Sequence, residues 1–101
     1  MIVYLAGRMY GLPDHGRRKF EEVEERLRHM GHIVLNPANL PQGMPDEKYM
    51  PICLAMVDAA DAIYLLNGFN DSPGARLESE YAGYQNKKIV WEAYETWDDD
   101  R

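Results

Sequence analysis

The sequence lacks the residues from which disulfide scaffolds and metal centres are built. It contains a single cysteine, Cys53, so neither an intrachain disulfide nor a cysteine zinc cluster can form. Its three histidines, His15, His29 and His32, do not have the spacing of metal ligands. We therefore expect a protein that uses neither a metal nor a cofactor.

Long hydrophobic runs and an excess of positive charge are also absent. The apolar run over residues 1–6 is too short for a signal peptide or a membrane span, and no later run is longer. The net charge of −6 argues against a protein that binds a nucleic acid polymer through its phosphates. With 46% hydrophobic residues the chain is too apolar to be disordered. We expect a cytoplasmic protein without membrane or polymer partners.

The length of 101 residues predicts one domain. We place this domain at residues 1–92 and an acidic tail at residues 93–101, which includes the run Asp98-Asp99-Asp100. A core of this size is only marginally stable alone, so we expect a homo-oligomer, most simply a dimer.

Hydrophobic periodicity predicts strands and helices in alternation along the chain. Short apolar runs predict strands at 2–6, 33–35, 62–66 and 88–91, and amphipathic spacing predicts helices at 14–30, 46–60 and from 73 onward. On the first helix, Glu22 and Arg26 are spaced for an i,i+4 ion pair. On the second, we expect Ile52, Met56 and Ala59 to face the core.

This alternation predicts an α/β fold, a Rossmann-like or flavodoxin-like three-layer sandwich. The short parallel sheet has the expected order 2-1-3-4, with helices on both faces. In that order the chain reverses direction between strands 1 and 3, and ligands bind beyond the carboxyl ends of the strands at such a point. Residues 7–13 and 67–73 are the two loops that reach it.

The first of these loops has some features of an anion site. Gly7 permits close backbone approach and Arg8 supplies a positive charge. The loop lacks both the GxGxxG pattern and the Walker lysine, so neither a dinucleotide nor a triphosphate is indicated. The alternative is an ordinary turn between a strand and a helix.

The second loop leads into the third helix through residues 71–75. Ser72 is a good N-cap, and Pro73 suits the first helical position. We expect the free amides of Gly74 and Ala75 to point into the crevice and attract an anion. The alternative is a helix that is merely well capped.

Glu78 lies one turn further along the same helix. At 100° per residue it falls on the small apolar face with Ala75 and Ala82, whereas Glu80 faces water. Burying a carboxylate costs several kcal/mol unless it is compensated, so we expect Glu78 to be catalytic or to bind a ligand. The alternative is a buried glutamate that is hydrogen-bonded to a tyrosine or a backbone amide.

Several segments of the chain resemble the nucleoside 2-deoxyribosyltransferase superfamily, and its small phage and bacterial branch in particular. They are Tyr4-Leu5-Ala6-Gly7, Gly31-His32 with Asn36-Pro37, residues 61–66, and Asp71-Ser72-x-Gly74-Ala75-x-x-Glu78. The resemblance covers residues 2–91, and the last segment is its most specific part. It implies a protein that is usually dimeric or larger and that acts on the N-glycosidic bond of deoxynucleosides or their 5′-monophosphates.

The resemblance also implies roles for individual residues. Glu78 matches the nucleophile, and Tyr4 matches a position that lines the sugar pocket. Gly7, Arg8 and Ser72 match positions that hold a phosphate in the monophosphate hydrolases. No cofactor is implied.

Two positions depart from the family pattern. Cys53 stands where the family commonly has an aspartate that assists the leaving base, and Arg8 stands where this branch often has proline. Asp71 and Cys53 are possible supporting residues, but a thiol is a weak proton donor. Three functions stay open: an N-glycosidase or deoxyribosyltransferase, a catalytically impaired nucleotide-binding protein, and a structural or interaction domain.

Overall fold

Four short parallel strands form the centre of the computed structural model, which describes residues 1–98. They are β1 (Ile2–Ala6), β2 (Ile33–Leu35), β3 (Ala62–Leu65) and β4 (Lys88–Trp91). Their order in the sheet is β2-β1-β3-β4, and each neighbouring pair is parallel. The predicted α/β fold and its strand order 2-1-3-4 are therefore confirmed.

Helices cover both faces of this sheet. They are α1 (Arg17–His29), α2 (Asp46–Ala59) and α3 (Pro73–Tyr84). Successive side chains of a strand point to opposite faces, so Val3 and Leu5 pack with α1, whereas Tyr4 and Ala6 pack with α2 and α3. Within residues 1–98 no helix is long and apolar enough to cross a bilayer.

The first helix begins three residues later than its periodicity predicts. The Asp14 carboxylate accepts hydrogen bonds from the backbone N–H groups of Gly16 (2.9 Å) and Arg18 (3.0 Å). Gly16 has a left-handed backbone (φ 73°), which ends the preceding turn at that point. Asp14 therefore caps the helix from outside, because its short side chain bonds nearby amides more readily than it enters a helix.

The buried face of α2 differs from the prediction by one position. Cys53 and Val57 are buried, whereas Ile52 and Ala59 are exposed and Met56 is half-buried. The expectation that Ile52 and Ala59 face the core was wrong. The spacing i,i+4 of Cys53 and Val57 runs along the side of the helix that meets Tyr4 and its neighbours on the sheet.

A C-terminal segment, residues 92–98, crosses the α1 face of the sheet. Arg26 pairs with both carboxylate oxygens of Glu95 at 2.9 and 2.6 Å, rather than with Glu22 as predicted. The Tyr64 hydroxyl and the Trp97 indole also donate to Glu95, at 2.6 and 3.0 Å. Trp97 thus completes the apolar layer on this face.

The domain boundary at residue 92 stays a prediction. Of the predicted acidic tail, Asp99, Asp100 and Arg101 lie outside the described residues.

We expect Glu95→Gln to lower the free energy of unfolding by about 1–2 kcal/mol at pH 7, because the charged pairing with Arg26 is lost. Hydrogen bonds from Arg26 lower the pKa of Glu95 from 4.5 to about 2. This contribution is therefore complete above pH 4.5 and is lost as the pH falls towards 2. Urea unfolding at several pH values measures it. The exposed Glu21→Gln is the control, and an equal loss in both variants would contradict the assignment.

Candidate functional site

A crevice of about 780 Å³ opens at the carboxyl edge of the sheet. Its walls are the loops that follow β1, β2 and β3, together with the first turns of α2 and α3. The lining includes all but one of the residues selected from the sequence: Gly7, Arg8, Cys53, Asp71, Ser72, Gly74, Ala75 and Glu78. The exception, Tyr4, lies on the central strand β1 beneath this lining.

Three polar side chains from three elements meet at the floor of the crevice. Tyr4, Cys53 and Glu78 have 0%, 4% and 7% of their surface exposed. The Tyr4 hydroxyl is fully buried, and no residue within 1–98 forms a hydrogen bond of good geometry with it. Glu78 and Cys53 nevertheless lie near enough to act on its ionisation. The floor is therefore a buried polar cluster with unused hydrogen-bonding capacity, a kind of group that functional sites retain.

Burial controls the charge of this cluster. It raises the pKa of Glu78 from 4.5 to about 7, and the nearby Tyr4 and Cys53 groups offset only part of the rise. Burial likewise raises the pKa of the Cys53 thiol, and it raises the pKa of Tyr4 well above 10.0. No Arg, Lys or His among the described residues forms an ion pair with Glu78. Glu78 is therefore the floor group that changes charge near neutral pH.

The N-terminus of α3 forms one side of the crevice. The Ser72 hydroxyl accepts a hydrogen bond from the Ala75 N–H at 3.2 Å, so the predicted N-cap is present. The expectation of two free amides was wrong for Ala75, because the cap already uses its N–H group. Pro73 has no N–H, so the amide of Gly74 remains as the donor at this helix end.

The β1–α1 loop brings positive charge to the crevice. Arg8, His15 and Arg17 all line it. The Arg8 Nε donates to the carbonyl oxygen of Tyr10 at 3.1 Å, which folds this side chain back over its own loop. A Cβ atom at position 7 would lie 2.7 Å from Leu66 Cδ1, so a larger residue than glycine would require the Leu66 side chain to shift. His15 and Arg17 were missed, although their position at the start of α1 places them at this edge.

The β2–α2 loop forms the remaining wall, which the sequence reasoning also missed. Tyr49 fastens it, since its hydroxyl donates to the carbonyl of Pro41 (2.7 Å) and accepts from the N–H of Met44 (3.2 Å). Asp46, Met50 and Cys53 follow at i, i+4 and i+7 on α2, and all three line the crevice. The signal that was available is the topology, because β2 ends at the same edge as β1 and β3.

The other carboxylates considered as supporting acids lie in different places. Asp58 accepts a hydrogen bond from Tyr81 at 2.7 Å, and Asp61 accepts one from the backbone N–H of Ile2 at 2.8 Å. Neither lines the crevice. Asp46 and Asp71 do line it, but both are exposed, unlike the buried Cys53 and Glu78 of the floor.

Solved structures with the same fold include two deoxyribosyltransferases. The 2-deoxyribosyltransferase from Leishmania mexicana has a TM-score of 0.73 and 20% identity over 89% of this chain, which spans 62% of that protein. The 2-deoxyribosyltransferase from the psychrotolerant bacterium Bacillus psychrosaccharolyticus has a TM-score of 0.71 and 18% identity, over 90% of this chain and 71% of its own.

A third similar structure is the CMP N-glycosidase of Clostridium botulinum. Its TM-score is 0.68 with 22% identity, over 90% of this chain and 70% of its own. These likenesses confirm, at the level of the fold, the resemblance to the nucleoside 2-deoxyribosyltransferase superfamily. No curated protein sequence matches the chain. The family model described as "Domain of unknown function (DUF4406)" matches residues 1–91.

We expect Glu78→Gln to make the protein more stable at alkaline pH. A carboxyl group whose pKa rises from 4.5 when unfolded to about 7 when folded destabilises the fold as the pH climbs between those values. At pH 8 the gain in the free energy of unfolding therefore approaches about 3 kcal/mol, and it shrinks towards pH 5. Urea unfolding at both pH values measures it.

The matched control is Glu80→Gln, the same substitution two residues away on the exposed side of α3. We expect no pH-dependent gain in that variant. A gain in Glu78→Gln that is equal at pH 5 and pH 8 would show that Glu78 is not desolvated as described.

Proposed function

The chain belongs to the family described as Domain of unknown function (DUF4406), and on that premise we propose that it cleaves or transfers the N-glycosidic bond of a nucleoside or a nucleoside 5′-monophosphate. Glu78 is the proposed nucleophile. The observation that carries the proposal is the position of Glu78: a carboxylate on the floor of a crevice, withdrawn from water and without an ion-pair partner among residues 1–98.

The chemistry of the bond explains why such a carboxylate is useful. Departure of the base leaves positive charge on C1′ and the ring oxygen of the sugar. An unpaired, desolvated carboxylate is stabilised by that charge more than by the neutral ground state, so it favours the transition state. Attack on C1′ then gives a glycosyl ester of Glu78, which water or a second base resolves.

The rest of the crevice suits the other parts of such a substrate. Arg8, the Ser72 hydroxyl and the Gly74 amide lie on the lining and offer donors to a 5′-phosphate. The unpartnered Tyr4 hydroxyl lies beneath the place where the sugar would meet Glu78. Met50 and Tyr49 on the third wall offer soft and aromatic surface to a base.

A second candidate function is nucleotide binding without turnover, which one observation favours. The side chain of α2 that reaches the floor beside Glu78 is the Cys53 thiol, whose pKa burial raises further. A thiol of this kind donates a proton poorly, so a ligand with a neutral base could be held without being cleaved. The homodimer expected from the chain length stays a prediction under both functions.

We expect wild-type protein to release free base from at least one member of a panel of nucleosides and 5′-monophosphates, measured by chromatography. In Glu78→Gln the kcat/KM falls at least about a thousandfold, because the nucleophile is lost. Glu80→Gln retains the wild-type rate. If no compound releases its base while a thermal shift still shows binding, the second candidate function replaces the first.

We expect Arg8→Gln to separate phosphate recognition from chemistry. The KM for a 5′-monophosphate rises about ten- to a hundredfold, which corresponds to one lost charged hydrogen bond, while the KM for the matching nucleoside changes little. Steady-state kinetics on the pair measures the difference. Equal changes for the nucleoside and the monophosphate would place the phosphate elsewhere.

A further inference from the structure

The face of α2 opposite Glu78 determines which leaving groups the crevice can assist. Along this face Asp46 lies at the mouth, Met50 lies halfway down and Cys53 lies at the floor. A thioether has no proton to give, and a buried thiol gives its proton reluctantly. The deepest part of this face therefore contains no group that readily protonates a departing base.

The other groups near the floor do not fill that role. Burial also raises the pKa of the Tyr4 hydroxyl, well above its ordinary value of 10.0. Glu78 must be ionised to attack C1′, so it cannot hold the proton at the same time. His15 lines the crevice, but it is exposed and belongs to the β1–α1 loop, which also carries Arg8 and leads into Arg17 at the start of α1.

The charges of the crevice are divided between its two sides. Arg8 of the β1–α1 loop and Arg17 at the start of α1 suit an anionic group of the substrate. The α2 side carries the exposed Asp46 carboxylate beside Met50 and Tyr49. A carboxylate, a thioether and an aromatic ring together favour a flat, positively charged ring.

We propose that the preferred substrate is an N-glycoside whose base is already a cation, such as a pyridinium nucleotide, so that no acid is needed when the base leaves. This inference rests on the proposed function of Glu78. An uncharged pyrimidine or purine departs as an anion unless it is protonated, whereas a pyridinium departs as a neutral molecule.

The reaction balances without a further reactant. The Glu78 carboxylate forms a bond to C1′, the C1′–N bond breaks, and its electron pair neutralises the pyridinium nitrogen. Water then attacks C1′ of the glycosyl ester and restores the carboxylate, and one proton passes to the solvent. The products are a neutral pyridine, the free sugar phosphate and that proton.

The test compares nicotinamide mononucleotide, whose pyridinium is permanently charged, with its neutral dihydropyridine form and with CMP. Base release is followed by chromatography, with Glu78→Gln giving the background rate. We expect kcat/KM for the cationic substrate to exceed that of each neutral substrate by at least about a hundredfold, the lower end of what a general acid contributes. Equal or faster release from the neutral substrates overturns the inference and leaves the proposed function standing. Release from none of the three, with release from another member of the panel of nucleosides and 5′-monophosphates, overturns the inference alone. Release from no compound of that panel overturns both the inference and the proposed function.

Two substitutions of Cys53 test whether the lack of an acid at this position limits the release of neutral bases. Cys53→Asp supplies a carboxyl group there and should narrow the ratio between cationic and neutral substrates at least about tenfold. Cys53→Asn has nearly the same shape without the acid and should not narrow it. A folded Cys53→Asp protein with an unchanged ratio of kcat/KM values contradicts the inference. A His15→Gln protein that releases only neutral bases more slowly also contradicts it, because His15 would then be the acid that protonates them. If Cys53→Asp does not fold, the wild-type ratio still decides.

Discussion

A carboxylate held out of water without a cation is the constraint on which the rest of this structure depends. Glu78 lies against the central strand β1 and beside α2, and its burial raises its pKa to about 7. Such a group weakens the fold whenever it is ionised. The other crevice residues place hydrogen-bond donors, a thiol and a tyrosine around the Glu78 carboxylate, but no ion pair within residues 1–98 neutralises its charge. The molecule thus retains an unfavourable charge where a ligand with developing positive charge would relieve it.

On the opposite face of the sheet, a carboxylate is stabilised in its charged form rather than destabilised. Glu95 accepts hydrogen bonds from Arg26, Tyr64 and Trp97, and these bonds lower its pKa to about 2. It joins the C-terminal segment to α1 and closes the apolar layer there. The ion pair of Glu95 therefore lies on the α1 face, whereas Glu78 and the floor of the crevice lie on the opposite face. This separation lets the floor carry a costly group while the domain remains folded.

Parallel topology explains why so few residues are enough to build the crevice. In the order β2-β1-β3-β4 every strand ends at the same edge, so three loops meet there. The loop after β1 brings arginines, the loop after β2 brings Tyr49 and the start of α2, and the loop after β3 brings Ser72 and α3.

The sequence by itself determined the features that depend on hydrophobic periodicity within one strand or helix, or on a capping residue at a helix end. Three strands, at 2–6, 33–35 and 88–91, have the predicted bounds. Ser72 caps α3, and the helical angle of 100° per residue placed Glu78 on the buried face. These follow from bonds and side-chain directions within one turn or one strand. Only the tertiary structure decided that Arg26 pairs with Glu95 rather than Glu22, that Ile52 of α2 faces outward, and that Asp46, His15 and Arg17 reach the crevice. The physical reason is that these outcomes depend on contacts between residues that are far apart in the chain. Such contacts produce no repeating pattern in the sequence, unlike the spacing of buried residues within one helix or strand.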